Sequence, residues 1–352
     1  MEDRFRALLD KVGGAITGRP PRHLTLEEAD WVFGTLLEGT VSASRTTAML
    51  LALRAKGPTA EELAGCARAA RARVKFPELP AGTVVLSTSR RGKHSSPPFG
   101  LAAAAAAAAC GARVLVQASS GVPGGGITLG DVWTAAGGRL NGDPVAAEEA
   151  LLSHGMACWH PTLADRGWQP LLDTESDLGL RLLPDVIGKL LLPQACRVLV
   201  AAMPGPVLGR AGEALQLLGH PQAIIVQGVE GSLDAALSRP TRGLRLQNGT
   251  HSPLRLRPED FGMEQPGEPP MAALADRAQA ALTGVRTALL GGSSPYAAVA
   301  ALGAAMILSL VEERTSLAEA AARAQEALES GAAQARWEGA LTVSRSGHRP
   351  NN

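Results

Sequence analysis

The sequence predicts an α/β protein: a small helical N-terminal part followed by a larger part built on a mainly parallel sheet. Three observations predict it. Two S/T-x-x-E capping boxes, Thr25–Glu28 and Thr59–Glu62, open apolar-periodic helical segments in residues 1–75. A strand, a loop, a helix and a second strand then follow over residues 83–116, which is a βαβ unit and hence a parallel pair. Strand and helix patterns alternate again after residue 196 and give way to a helical last third.

Each element has its own reason. Thr25 opens a helix with Ala29, Val32, Phe33, Leu36 and Leu37 on one face, closed by Gly39. Ser42–Lys56 repeats the pattern through Met49, Leu50 and Leu53 and stops at Gly57-Pro58. Thr59 starts a third helix carrying Leu63 and Cys66, and tight links between three short helices make a bundle. Pro77–Gly82 is a linker. Thr83–Leu86 is a strand that runs into the polar loop Ser87–Ser96. Leu101–Cys110 is almost pure alanine, the best helix former, and ends at Gly111 before the strand Arg113–Val116. Gly121–Gly126 reads as a flexible connector ahead of a helix near Asp131–Ala136. His154–Pro193 is mixed, with a helix over Gly179–Leu192. Arg197–Ala201 and Ala223–Val226 read as strands around a helix at Val207–Leu218. Arg242–Leu246 and Leu254–Arg257 form an antiparallel pair, and Met271–Glu329 is helical.

Composition bounds the function. At 352 residues the chain has room for about two domains and an ordinary core without staples. Lys and Arg number 34 against 33 Asp and Glu, a net +1, which excludes a globally basic nucleic-acid coat but leaves a local patch open. With 5 Phe, 5 Trp and 1 Tyr, the chain lacks the repeated aromatic faces of a base-stacking platform. Cys66, Cys110, Cys158 and Cys196 form no C-x-x-C pair, which fits a reducing compartment. The N-terminus has no long apolar core, and the longest apolar stretch, Tyr296–Val311, is short for a span of roughly 20 residues. A cytoplasmic protein without a membrane partner is expected.

The densest basic run near an expected ligand crevice is Arg90-Arg91-Gly92-Lys93-His94. Loops at the carboxyl ends of parallel strands line ligand sites, and arginine binds phosphate bidentately, so Arg90, Arg91, Lys93 and His94 are candidate phosphate ligands. Lys189 joins them if it lines the same cleft. The competing reading is a solvated loop. His154, Cys158 and His160 suggest a metal by proximity, but no fourth ligand follows at a sensible spacing, and a connector between domains is preferred. Glu230 and Asp234 are the weak candidates for magnesium; a carboxylate pair on a loop is more often a solvated turn, so no metal or cofactor is expected. Neither a G-x-S-x-G elbow nor a G-x-G-x-x-G fingerprint is present at the expected places.

The order of motifs resembles the anthranilate phosphoribosyltransferases of glycosyl transferase family 3. The likeness rests on L-T-L-E-E-A-D, L-L-E-G-T-V-S and L-A-L-R-A-K-G-P-T-A-E-E-L-A-G between His23 and Ala70. It continues through Gly130-Asp-Val132, Asp177–Arg181, Gly188 with Pro193, Arg239–Arg242 and Pro258–Gly262. The resemblance implies a nucleoside-phosphorylase-like fold, with a helical domain hinged to an α/β domain and a homodimer formed through the helices. It divides the chain into 1–78, completed by about 163–193, and 79–162 with 194–345.

Against the family's motifs the site differs. The diphosphate loop G-T-G-G-D is replaced by Ser87-Thr88-Ser89-Arg90-Arg91, and the K-H-G-N-R segment by Val116–Ser120. The magnesium-binding Asp-Glu pair becomes Asp234-Ala235, and Glu175 stands near the place of the arginine that contacts anthranilate. Lys189 stands where the family has proline. This pattern is similar to a divergent, nucleic-acid-binding branch of the family, the YbiB type. The expectation is therefore a protein that binds nucleic acid or a phosphorylated small molecule through a basic cleft. The alternative is a glycosyl or phosphoribosyltransferase with a changed acceptor or donor. In neither case is it a competent anthranilate phosphoribosyltransferase.

Overall fold

The computed structural model describes residues 2–14, 18 and 20–346; residues 1, 15–17 and 19 of the helical stretch expected over 1–75 lie outside the described residues. Four helices come first: α1 (Glu2–Gly13), α2 (Leu26–Glu38), α3 (Ala43–Lys56) and α4 (Ala60–Arg71). Both capping boxes form, with Thr25 and Thr59 accepting from the backbone of Glu28 and Glu62 while each glutamate reaches back. Glu62 does more. It is 1 % exposed and accepts from the Leu24 and Thr59 N–H groups at 2.8 Å and from the Lys56 ammonium at 2.7 Å. Burial pushes its carboxyl up, but Lys56 and the two N–H donors outweigh that and hold it below the usual range.

The α/β part then runs β1 (Val84–Ser87), α5 (Gly100–Ala109), β2 (Val114–Gln117), α6 (Leu129–Ala135), α7 (Pro144–His154) and β3 (Met156–Trp159). Two helices, α8 (Trp168–Asp177) and α9 (Leu183–Leu190), pack on each other and on α2 and α4. The chain returns through β4 (Arg197–Ala201), α10 (Leu208–Leu217), β5 (Gln222–Gln227), β6 (Thr241–Gln247) and β7 (Thr250–Leu256). It closes with α11 (Arg277–Leu289), α12 (Pro295–Val311), α13 (Leu317–Glu329) and α14 (Ala332–Ser346).

The seven strands form one sheet in the order β3-β2-β1-β4-β5-β6-β7, parallel from β3 to β5 and antiparallel at β6 and β7. Alternate residues face opposite cores. Val84, Leu86, Val114 and Val116 pack with the alanines of α5 and with α12; Val85, Leu115, Val198 and Val200 pack on the other face in one cluster with the N-terminal helices. Burial on both faces is why these strands read as continuous apolar runs. Among the described residues no helix is long and apolar enough to cross a membrane.

The structure corrects several expectations. Cys158 lies in β3, paired in parallel with β2, so this segment is part of the sheet and not a connector. Pro184 in the first turn starts α9 at Leu183, since proline needs no intrahelical acceptor there; the helix expected from Gly179 begins four residues later. The final strand begins at Thr250, because Asn248 and Gly249, at φ 49° and 80°, close a two-residue hairpin. The helical last third divides into α11 to α13, and α14 extends beyond Glu329.

Candidate functional site

The strand order reverses between β1 and β4, and loops at the carboxyl ends of parallel strands flanking such a point form the ligand crevice of an open α/β sheet. Here α9 lies across that end. The Gln117 side chain at the end of β2 donates to the carbonyls of Gly188 and Leu191, at 2.7 and 3.1 Å, and Lys189 donates to the Ala201 carbonyl at the end of β4, at 2.9 Å. Beneath α8 and α9 a cleft of about 580 Å³ opens, lined by Thr88 and Arg90 after β1, Ser119 and Ser120 after β2, His160 after β3, and Asp185 and Lys189 on α9.

The loop after β1 is held in place. Gly126 donates to the Arg91 carbonyl at 2.7 Å, and Lys93 and Ile127 exchange backbone bonds at 2.9 and 2.8 Å. A Cβ on Gly126 would lie 2.4 Å from the Lys93 backbone, so only glycine admits this approach. The glycine stretch is thus the brace of the basic loop, where a flexible connector was expected.

The candidate residues divide. Arg90 and Arg91 reach the buried Glu175 on α8, their guanidinium nitrogens 3.8 and 3.9 Å from its two carboxylate oxygens, outside hydrogen-bond range. One terminal nitrogen of Arg90, Nε of Arg91 and Glu175 Oε2 are all buried without a hydrogen-bond partner. Glu175 Oε1 accepts from the Leu182 N–H at 2.6 Å. Burial raises the Glu175 carboxyl to about 7, with Asp185 adding and Leu182 and the two arginines opposing. Burial likewise draws Arg90 below its ordinary value, while Glu175 and Asp185 offset it.

Lys93 is corrected. It is 1 % exposed, and its ammonium is taken up by Asp234 at 2.6 Å and the Pro97 carbonyl at 3.0 Å, so it holds the loop inside the protein instead of facing a phosphate. His94 is exposed, but its backbone is spoken for: its N–H donates to Glu230 at 2.6 Å and its carbonyl accepts from Arg277 at 2.6 Å. Lys189 does line the cleft, although it is 8 % exposed; burial lowers its ammonium to about 8, with Arg181 adding and Asp185 opposing.

The two weak magnesium candidates are occupied. Glu230, in a left-handed conformation at φ 56°, accepts from the His94 and Ser95 N–H groups at 2.6 and 3.0 Å. Asp234 binds Lys93 and the Phe99 N–H, and Ala235 adds no carboxylate. Because hard cations need free oxygen donors, this donor set does not fit magnesium. No group of three potential metal ligands occurs among the described residues, and His154, Cys158 and His160 do not gather. His160 is instead a buried neutral ring: burial, then Arg90, lowers it to about 4. Its Nε2 accepts from the Ser120 N–H at 3.4 Å, which leaves Nδ1 to donate to Thr162 at 3.1 Å.

Sequence reasoning missed Asp185. Its carboxylate accepts from Ser89 Oγ at 2.9 Å, from the Arg90 N–H at 3.2 Å and from Arg181 Nε at 2.7 Å, and so fixes the β1 loop to α9. The signal was present as an Arg–Asp pair at i,i+4 with the acid in the first turn of a helix.

The family model described as "Glycosyl transferase family, a/b domain" matches residues 98–334, and its companion described as the helical bundle domain matches residues 7–74. The chain belongs to the anthranilate phosphoribosyltransferase-like glycosyl transferases. Within that family, the anthranilate phosphoribosyltransferase of Methylobacterium nodulans is 30 % identical over 352 residues, covering 97 % of this chain and 99 % of its own. That of Methylocella silvestris is 28 % identical over 339 residues, covering 94 % and 93 %. The crystal structure of the anthranilate phosphoribosyltransferase from Thermus thermophilus superposes with a TM-score of 0.80 at 25 % identity, covering 96 % of this chain and 99 % of that one. The Saccharomyces cerevisiae enzyme in complex with PRPP and Mg reaches 0.79 at 18 %, covering 98 % and 99 %, a likeness of fold alone.

Proposed function

We propose that this family member binds phosphate groups through Arg90 and Arg91 and does not transfer phosphoribose to anthranilate. One observation carries the reading. In the loop after β1, two partly buried guanidinium groups each retain one buried nitrogen without a hydrogen-bond partner, where the family resemblance places a glycine-rich diphosphate cradle. Buried donors of that kind favour an acceptor, and a phosphate oxygen is a strong one. The carboxylates at Glu230 and Asp234 are consumed within the protein, and Glu175 opposes an anionic acceptor where the family has arginine. The phosphates belong either to a nucleic-acid backbone, as in the YbiB-type branch, or to a phosphorylated small molecule.

The test has two arms. Incubation with anthranilate and phosphoribosyl diphosphate is expected to yield no phosphoribosyl-anthranilate; steady turnover at ordinary enzyme rates overturns that half. Titration with oligonucleotides and with ribose 5-phosphate separates the two phosphate sources, since only the polyanion loses affinity steeply as salt rises. No binding of either at low salt overturns the other half.

A second reading, a phosphoribosyltransferase with a changed acceptor, is favoured by the full-length likeness to enzymes of that name and by the 580 Å³ cleft. Release of diphosphate from phosphoribosyl diphosphate, screened against a panel of amines, is its signature.

A further inference from the structure

We propose that a second cavity, on the far side of α9 from the cleft, binds a small amphipathic anion: a carboxylate carried on an aliphatic body. The cavity encloses about 270 Å³ between the α3–α4 link, α9, α10 and the ends of β4 and β5. Its walls are aliphatic, with Leu53, Leu63, Val186, Leu190, Val200 and Ile225 facing in. Its only charged lining is cationic: Arg54, Arg181, Lys189 and Arg210, with no carboxylate among the described residues that line it. An apolar chamber with a few convergent polar groups of one sign is the form of a small-molecule site, and its size, near the lower end of about 300–1,000 Å³, suits a small ligand.

Lys189 is the second observation. Its buried ammonium carries three donors and spends one, on the Ala201 carbonyl at 2.9 Å. A buried ammonium so sparsely bonded is costly, and a ligand carboxylate against it offsets that cost. The Arg210 guanidinium makes no hydrogen bond or ion pair among the described residues. Arg54, by contrast, is already tied to the Arg181 carbonyl and Arg181 to Asp185, which orients the rim. Lys189 lines both the cleft and this cavity, whereas Arg90, Arg91 and Glu175 do not line the cavity.

The experiment is calorimetric titration of the full chain with octanoate, octan-1-ol and octylamine. Octanoate is expected to bind at least tenfold more tightly than the other two. Ala211→Trp, which fills the chamber from α10, and Arg210→Glu, at an exposed position, are each expected to weaken octanoate severalfold or more. Lys189→Met is expected to remove the preference for the anion; if that variant fails to fold, the other two decide. Equal binding of octanol and octanoate, octanoate affinity unchanged in both Ala211→Trp and Arg210→Glu, or no octanoate binding at millimolar concentration each overturns the proposal.

Discussion

Glu175 is the buried carboxylate beside Arg90 and Arg91. Its carboxyl ionises near 7 in the folded protein against 4.5 ordinarily, because burial outweighs the two arginines standing just beyond hydrogen-bond reach. Below about pH 4.5 it is protonated in both folded and unfolded chains. Between 4.5 and 7 the folded protein keeps a proton that the unfolded chain has released, so its contribution to stability falls as pH rises, and above 7 the loss is complete. The difference in unfolding free energy between wild type and Glu175→Gln is expected to decline by on the order of 3 kcal/mol across that window. Urea denaturation at a series of pH values measures it, and a difference independent of pH contradicts the assignment. This residue was legible as a departure from the family's pattern, but its partnership with Arg90 and Arg91 was not. Glu175 lies some eighty-five positions from the two arginines in sequence, and only the packing of α8 over the β1 loop joins them.

At the scale of elements, the buried Lys93–Asp234 pair ties the loop after β1 to the one after β5 and, through the Phe99 N–H, to the start of α5. Removing one partner strands the other charge inside the protein. Lys93→Met is therefore expected to cost about 3–5 kcal/mol, and adding Asp234→Leu to recover most of it, as denaturation of the two variants will show. The loop's basic run was plain in the sequence, yet side-chain direction was not. Nothing local distinguishes a lysine that faces solvent from one whose acceptor lies 141 residues away. The capping boxes of α2 and α4 were legible because both partners lie within one turn. By contrast β3 was hidden: four residues, Met-Ala-Cys-Trp, carry too short a pattern and are flanked by histidines that suggest a metal. The β6–β7 hairpin was misplaced because its second strand contains Pro253, which its edge position tolerates.

For the whole molecule, the two-part architecture followed from periodicity and strand–helix alternation, and the crevice from the expectation that loops at the carboxyl ends of parallel strands line it, whereas the order of the strands came only with the structure. The assembly rests on the family resemblance, which implies a homodimer through the helical domain; light scattering is expected to give twice 36.3 kDa, and a monomer mass at micromolar concentration contradicts it. Arg90 and Arg91 are expected to meet phosphates. The fold is expected to survive Arg90→Ala with Arg91→Ala, since neither guanidinium makes a close ion pair. The measurement is the slope of log affinity against log salt for wild type and this double variant on labelled duplex DNA. If each arginine meets one phosphate, the slope falls by about 0.9 for each arginine removed. Equal affinities and equal slopes for the two proteins would remove the arginine pair from the binding site.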